Sequence, residues 1–230
     1  MKTTALIVAG GIGKRVGGDL PKQFQNVAGQ PLLFHTLRAF ETCPEVDEIF
    51  LVLPEEWIDY FKGLSPSFSK LKGVVRGGQT RQDSTRAGFQ KVSSGGIVLV
   101  HDGARPLVSL ETIRNCIETA REYGAALAAS PASDTIKESD EKGFVSATHD
   151  RKKIHQAQTP QAFRFDWLKE ALESAYSKGI QATDEAALVE QMGKPVKLVF
   201  SEASNIKITH PVDLIVAEAL LGQAKRKGQK

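Results

Sequence analysis

Thr4-Ala5-Leu6-Ile7-Val8 runs directly into Ala9-Gly10-Gly11-Ile12-Gly13-Lys14-Arg15. The first five residues carry no charge and end in a β-branched pair, as a strand buried on both faces does. The glycines that follow let backbone N–H groups approach a phosphate chain, because no Cβ stands in the way. Two familiar templates fail. A dinucleotide fingerprint needs a third glycine where Val16 stands. A P-loop needs Ser or Thr after Gly-Lys, where Arg15 stands. The loop continues through Gly17-Gly18-Asp19 to Pro21-Lys22, so no helix starts at the glycines. Such a loop, carrying Lys14, Arg15 and Lys22, can wrap a triphosphate. By itself it reads equally as a tight turn with solvated cations.

Outward from this strand the same pattern repeats. Ile49–Leu53, Gly73–Arg76, Ile97–His101, Ala125–Ala129 and Val196–Phe200 read as further strands, with helical periodicity between them. Leu33, Phe34, Leu37 and Phe40 share one helix face. Ser109 and Gly124 bracket a helix from Leu110 to Tyr123, and Pro211 opens a last one that runs to Leu221. Alternating strands and helices imply an α/β fold: a Rossmann-like, mostly parallel twisted sheet with helices on both faces. Residues 133–159 break the rhythm. Asp134–Lys137, a turn at Asp140–Gly143, Phe144–Thr148 and Ile154–Thr159 read as an antiparallel β-arm inserted in the fold. Two strands alone are marginal in water, so the arm should lean on its own domain or on a second subunit.

The 230 residues suggest one domain, 1–230, ending in a flexible basic tail at 222–230. The net charge of +3 includes Lys225, Arg226, Lys227 and Lys230; without them the body is one unit negative, which argues against a nucleic-acid surface. No stretch approaches the ~20 apolar residues of a membrane span. Two cysteines make no disulfide framework and fit a reduced, cytoplasmic setting.

Further short motifs stand in order along the chain: Pro21-Lys22-Gln23-Phe24, Gly77-Gly78 with Arg81 and Asp83-Ser84, and His101-Asp102-Gly103-Ala104-Arg105-Pro106. Asp134-Thr135-Ile136-Lys137, Arg151, Gln158-Thr159-Pro160-Gln161, Thr183-Asp184-Glu185-Ala186 and Asn205-Ile206-Lys207-Ile208-Thr209 follow. With the glycine loop, these resemble the sugar-phosphate nucleotidyltransferases, and within them the 2-C-methyl-D-erythritol 4-phosphate cytidylyltransferase family. The resemblance implies transfer of a cytidylyl group from CTP to methylerythritol phosphate, with Mg²⁺ as cofactor and pyrophosphate as second product, in non-mevalonate isoprenoid biosynthesis. It also implies a homodimer joined through the β-arm. Nucleotidyl transfer needs positioning and charge neutralisation more than covalent help. By the resemblance, Arg15, Lys22, Arg151 and Lys207 would be catalytic. Ala9, Gly10, Gly11, Gly13, Arg15, Lys22, Gly78, Gln79, Ser84, Asp102 and Gly103 would hold the nucleotide. Asp102, Arg105, Thr135, Arg151, Thr159, Thr183 and Lys207 would hold the polyol phosphate, Arg151 reaching the other subunit's site. Asp102, at the carboxyl end of its strand, would meet the metal directly or through water. His101 reads as a structural hydrogen-bonder and Asp83 as a helix cap or ligand contact.

The chain departs from the family pattern at Gln79, where an acid is common, at Ser204, where an aspartate is common, and at Val8, which replaces a proline. The first loosens the pyrimidine preference and the second leaves Asp102 as the main metal candidate. A D-ribitol-5-phosphate cytidylyltransferase shares several of these motifs, and a non-catalytic nucleotide-binding homologue shares the loop. The glycine loop, Gly10–Pro21, is expected to close only over bound phosphates.

Overall fold

The computed structural model describes residues 1–11, 20–65 and 67–228, the last five by backbone only. In chain order the elements are β1 (Thr3–Val8), β2 (Asn26–Val27), β3 (Gln30–Pro31), α1 (Leu32–Thr42), β4 (Glu48–Leu53), α2 (Ile58–Gly63), β5 (Leu71–Arg76), α3 (Arg81–Phe89) and β6 (Ile97–Asp102). They continue with α4 (Leu110–Tyr123), β7 (Ala125–Pro131), β8 (Lys137–Ser139), β9 (Val145–Thr148), β10 (His155–Arg164), α5 (Phe165–Lys178), α6 (Glu185–Gln191), β11 (Lys197–Phe200) and α7 (Pro211–Gly228).

Seven strands form one sheet in the order β11-β7-β10-β6-β1-β4-β5. All are parallel except β10, which lies antiparallel between β6 and β7. The chain moves outward from β1 to β4 and β5, then returns to place β6 on the other side of β1. That reversal opens a crevice at the carboxyl ends of β1 and β6, where open α/β sheets bind ligands. Alternate residues of β1 face opposite cores. Ala5 and Ile7 pack with Leu33, Leu37, Ile113 and Ile117 under α1 and α4. Leu6 and Val8 pack with Phe89, Leu168, Leu172 and Val189 under α3, α5 and α6. Helices thus cover both faces, which is why these strands are apolar throughout.

All six expected strands form. β10 is the difference: residues 155–159, read as the third stretch of the arm, begin this long central strand. The arm proper is the β8–β9 hairpin, whose two strands pair only with each other. Asp140 closes its turn by accepting from the Lys142 and Phe144 N–H groups. α7 runs on to Gly228 through most of the segment read as a basic tail. Gln, Ala, Lys and Arg favour a helix, and cations suit its carboxyl end. The expectation of a mobile loop, together with Gly13 and Arg15, falls on 12–19, outside the described residues.

Ser109 caps α4 by accepting from the Thr112 N–H at 3.1 Å. Gly124 ends it at φ 94°, and a Cβ there would lie 2.4 Å from the Trp167 ring. Backbone strain and overpacking therefore add. Gly124→Ala should destabilise the fold by on the order of 2–4 kcal/mol in chemical denaturation.

Candidate active site

The crevice holds a cavity of about 330 Å³. Three segments build it: Val8–Gly11 after β1, the Gly78–Arg81 turn with Ser84 before and within α3, and Asp102 with Ala104 after β6. Lys22, Gln23, Lys207 and Thr209 complete the lining. Gly78 has to be glycine, because a Cβ would meet Asp83 Cβ at 2.3 Å. Thr80 is the N-cap of α3 and Asp83 its N3 partner in a reciprocal capping box, so Asp83 serves the helix start. The Ser84 hydroxyl donates to the Thr80 carbonyl at 2.9 Å and accepts from the Gly78 N–H at 3.2 Å. It shapes the turn that the cavity presents.

Asp102 is the centre of charge. Oδ1 accepts from Arg81 Nε at 3.0 Å. Oδ2 lies 2.9 Å from Lys207 Nζ and 3.5 Å from Arg105 Nε. Burial by itself would raise the pKa of this carboxyl. The charges of Arg81 and Lys207 outweigh it and hold the group well below the usual carboxylate range. Arg81 also donates from Nη1 to both oxygens of buried Glu185, at 2.8 and 2.7 Å. Lys22 reaches across to donate to the Ile208 carbonyl at 2.6 Å. Among the described residues four cations stand beside these two carboxylates, a positive setting suited to a polyphosphate.

His101 lies beneath, wholly buried. Nε2 meets the Arg105 carbonyl at 3.2 Å, which only accepts, so the proton belongs on Nε2. Nδ1 then accepts from the Thr159 hydroxyl at 3.0 Å, while that oxygen accepts from the Asp102 N–H at 3.1 Å. The chain of bonds assigns this tautomer. Burial holds His101 neutral, with its pKa pushed down to about 3.

Ala9, Gly10, Gly11, Lys22, Gly78, Gln79, Ser84, Asp102 and Lys207 thus come together as the motifs implied. Others do not. Gly103 packs behind the cavity, donating its N–H to the Val8 carbonyl. Thr159 is committed to the bonds above. Arg105 is turned inward, donating from Nη1 to the Asn205 carbonyl at 2.7 Å. Both are buried and spend Nη1 and the hydroxyl on the frame, while Arg105 Nε keeps only the 3.5 Å ion pair with Asp102. Thr135, Arg151 and Thr183 are exposed and do not line the cavity. Arg151 donates to the Ser133 carbonyl at the base of the hairpin. Ser204 turns to Glu202, away from Asp102. Arg81 and Thr80 line the cavity without having been assigned a role, although Arg81 stood inside a quoted motif.

Among the described residues no group of three His, Cys, Asp or Glu side chains is placed to hold a metal. Asp102 is one ionised carboxylate at the cavity wall, and Mg²⁺ is commonly held by one or two carboxylates with substrate phosphates and water. The donor set fits a cation shared with a triphosphate, not a protein cage.

A doubly wound sheet with a cationic cavity at its switch point defines an α/β nucleotide-binding transferase. The model of the 2-C-methyl-D-erythritol 4-phosphate cytidylyltransferase family matches residues 3–223, and the chain belongs to that family. It is therefore an enzyme of the nucleotidyltransferase class. A Clostridium perfringens (strain SM101) protein of that name is 42% identical over 219 residues, covering 94% of this chain and 97% of the relative. The crystal structure of 4-diphosphocytidyl-2C-methyl-D-erythritol synthase from Anaerococcus prevotii superposes with a TM-score of 0.85 at 32% identity, covering 96% of this chain and 98% of that one. The Thermus thermophilus cytidylyltransferase gives 0.77 at 37% identity, covering 96% and 98%.

The folded pKa of His101 is depressed relative to the unfolded chain, where imidazole titrates near 6.5. The unfolded state therefore takes up the proton first. The contribution of His101 is complete above pH ~6.5 and is lost as pH falls toward about 3, with a slope of up to ~1.4 kcal/mol per pH unit. Urea midpoints between pH 7 and 4.5 should fall accordingly, and more shallowly in His101→Gln.

Proposed function

We infer that this enzyme transfers the cytidylyl group of CTP to 2-C-methyl-D-erythritol 4-phosphate, serving isoprenoid biosynthesis. The observation that carries this reading is the cavity itself: two glycine turns face Lys22, Lys207 and Asp102 at the sheet's switch point. Backbone at Ala9–Gly11 and the turn at Gly78–Gln79 hold the nucleotide. Gln79 offers a side-chain carbonyl to the cytosine amino group. An oxygen of the polyol phosphate attacks the CTP α-phosphorus, that P–O bond forms, the α–β bridging bond breaks, and pyrophosphate leaves. The attacking phosphate is already anionic, so no protein base is required. Lys22, with Arg15 in the loop, neutralises the triphosphate as charge moves to the leaving group. Lys207 leaves Asp102 to bind the attacking phosphate. Asp102 would hold Mg²⁺, directly or through water. A cation bound there would supply neutralisation of phosphate charge.

We read residues 1–230 as one catalytic domain that works as a homodimer. Supporting this, the hairpin pairs with nothing else and leaves Phe144 and Val145 70% and 63% exposed. Arg151, beside the hairpin, would complete the partner's cavity. A cytoplasmic setting is supported by the two free, buried cysteines, whose thiols burial pushes up to about 11 and about 12. No described helix is long and apolar enough to cross a membrane. Thr183 stays a candidate polyol contact because its segment is pinned beside Arg81.

Three measurements check this reading. Pyrophosphate release with CTP and Mg²⁺ should proceed with methylerythritol phosphate and be negligible with ribitol 5-phosphate; the reverse preference would move the chain to the other polyol. Lys207→Ala should raise KM for the polyol phosphate far more than KM for CTP. Arg151→Ala and Lys22→Ala, each losing about 10²–10³ in rate, should regain activity when mixed as heterodimers; a mixture no better than its parents would refute the shared site.

A further inference from the structure

Arg81 sits where three parts of the site meet. Nη1 is spent on Glu185 at the start of α6, and Nε on Asp102 at the end of β6. Glu185 is 1% exposed and also accepts from the Thr85 hydroxyl at 2.8 Å. A buried ion pair is an expensive way to join two helices, since apolar residues of equal volume do so as well or better. The joint between α3 and the segment before α6 is also made without Arg81. Gln82 Nε2 donates to the Ile180 carbonyl at 2.9 Å, and its Oε1 accepts from the Ala182 N–H at 3.1 Å. Asp184 and Gln161 then fasten the first turn of α6 to β10. What Gln82 cannot supply is the second edge of a rigid guanidinium fork, aimed into the cavity at Asp102.

We propose that Arg81 is a positioning residue for the transfer reaction: clamped by Glu185, it fixes the orientation of the Asp102 carboxylate in the cavity. The role rests on the cytidylyltransferase reading above. Of the three cations on Asp102, Lys207 is needed by the incoming phosphate and Arg105 is tied to the Asn205 carbonyl. Arg81 is the one held from behind by a buried carboxylate, so it stays in place while Lys207 changes partner. The orientation of Asp102 then does not depend on the ligand that it helps to place. Misplacement of a reacting geometry by about 1 Å costs on the order of 10²-fold in rate.

The test is a double-mutant cycle on pyrophosphate release, run with the polyol phosphate that the unaltered enzyme turns over. Arg81→Met is combined with Glu185→Gln so that no buried carboxylate is left unpaired. This pair should lower kcat about 10-fold to 100-fold while KM for CTP changes less than about threefold. Asp102→Asn should lower kcat at least as much. Adding the Arg81 and Glu185 changes to Asp102→Asn should cost little more, because the role runs through that carboxylate. Gln82→Ala, which loosens the joint alone, should combine additively with Asp102→Asn. Additive loss for Arg81 would overturn the proposal and make Arg81 a structural clamp, as would wild-type kcat in the folded variant. If that variant does not fold, Arg81→Lys carries the same cycle, since one ammonium cannot serve both carboxylates. Silence of the unaltered enzyme with every polyol phosphate would instead refute the functional reading, and the positioning role with it.

Discussion

A buried carboxylate must be paired, and Asp102 is paired three times. Its partners come from α3, from the turn after β6 and from the segment after β11. The second and third of these regions are also joined by the Arg105–Asn205 bond and by the Ile208 N–H donating to the Ala104 carbonyl, and Asp102 is where all three meet. The desolvation of Asp102 would otherwise favour its neutral form, so each cation is there to keep the charge and each is in turn held near the cavity. The site's positive setting follows from the same arrangement. Lys22 and Lys207 both line the cavity that the phosphates would enter.

Behind this cluster stands a frame of polar side chains that do not line the cavity. Asn205 Nδ2 bonds to the Thr159 carbonyl at 2.9 Å and to Gln158 Oε1 at 3.0 Å, and its backbone carbonyl receives Arg105. Gln161 grips α6 and Asp184. Thr159 and His101 hold the end of β6. Buried networks of this kind are stiff, because any displacement leaves a donor or acceptor without a partner. β10 supplies three of these residues. The single antiparallel strand of the sheet is therefore the beam on which the phosphate-facing segments are mounted. This links the topology directly to the geometry of the cavity.

The hairpin has the opposite character. It is short, paired only with itself among the described residues, and exposes Phe144 and Val145 beside a charged turn. The cations at its base, Arg151 among them, lie outside the cavity. A rigid frame carries the nucleotide side, and a separate projecting element carries charge that one chain leaves unused. In the homodimer proposed above, each cavity would take its frame from one subunit and Arg151 from the other.

The repeating apolar runs made the parallel sheet legible, because strands buried on both faces leave a continuous hydrophobic signature. The glycine turns and the capping residue Ser109 were legible for an equally local reason: their geometry is settled within a few residues. β10 was not. Its first residues are polar and continue the extended run from the arm, and only pairing with β6 and β7 makes them a central strand. Arg105 and Thr159 have the right chemistry for a substrate contact, yet burial turns both into struts. The role of Arg81 was invisible for the same reason, since Glu185 is 104 positions away. Residue type and local spacing were thus enough for the fold class, and the order of the motifs, through the resemblance it carries, for the chemistry. Which polar groups face the cavity and which hold it together depends on burial and on partners brought from far along the chain, and those exist only once it has folded.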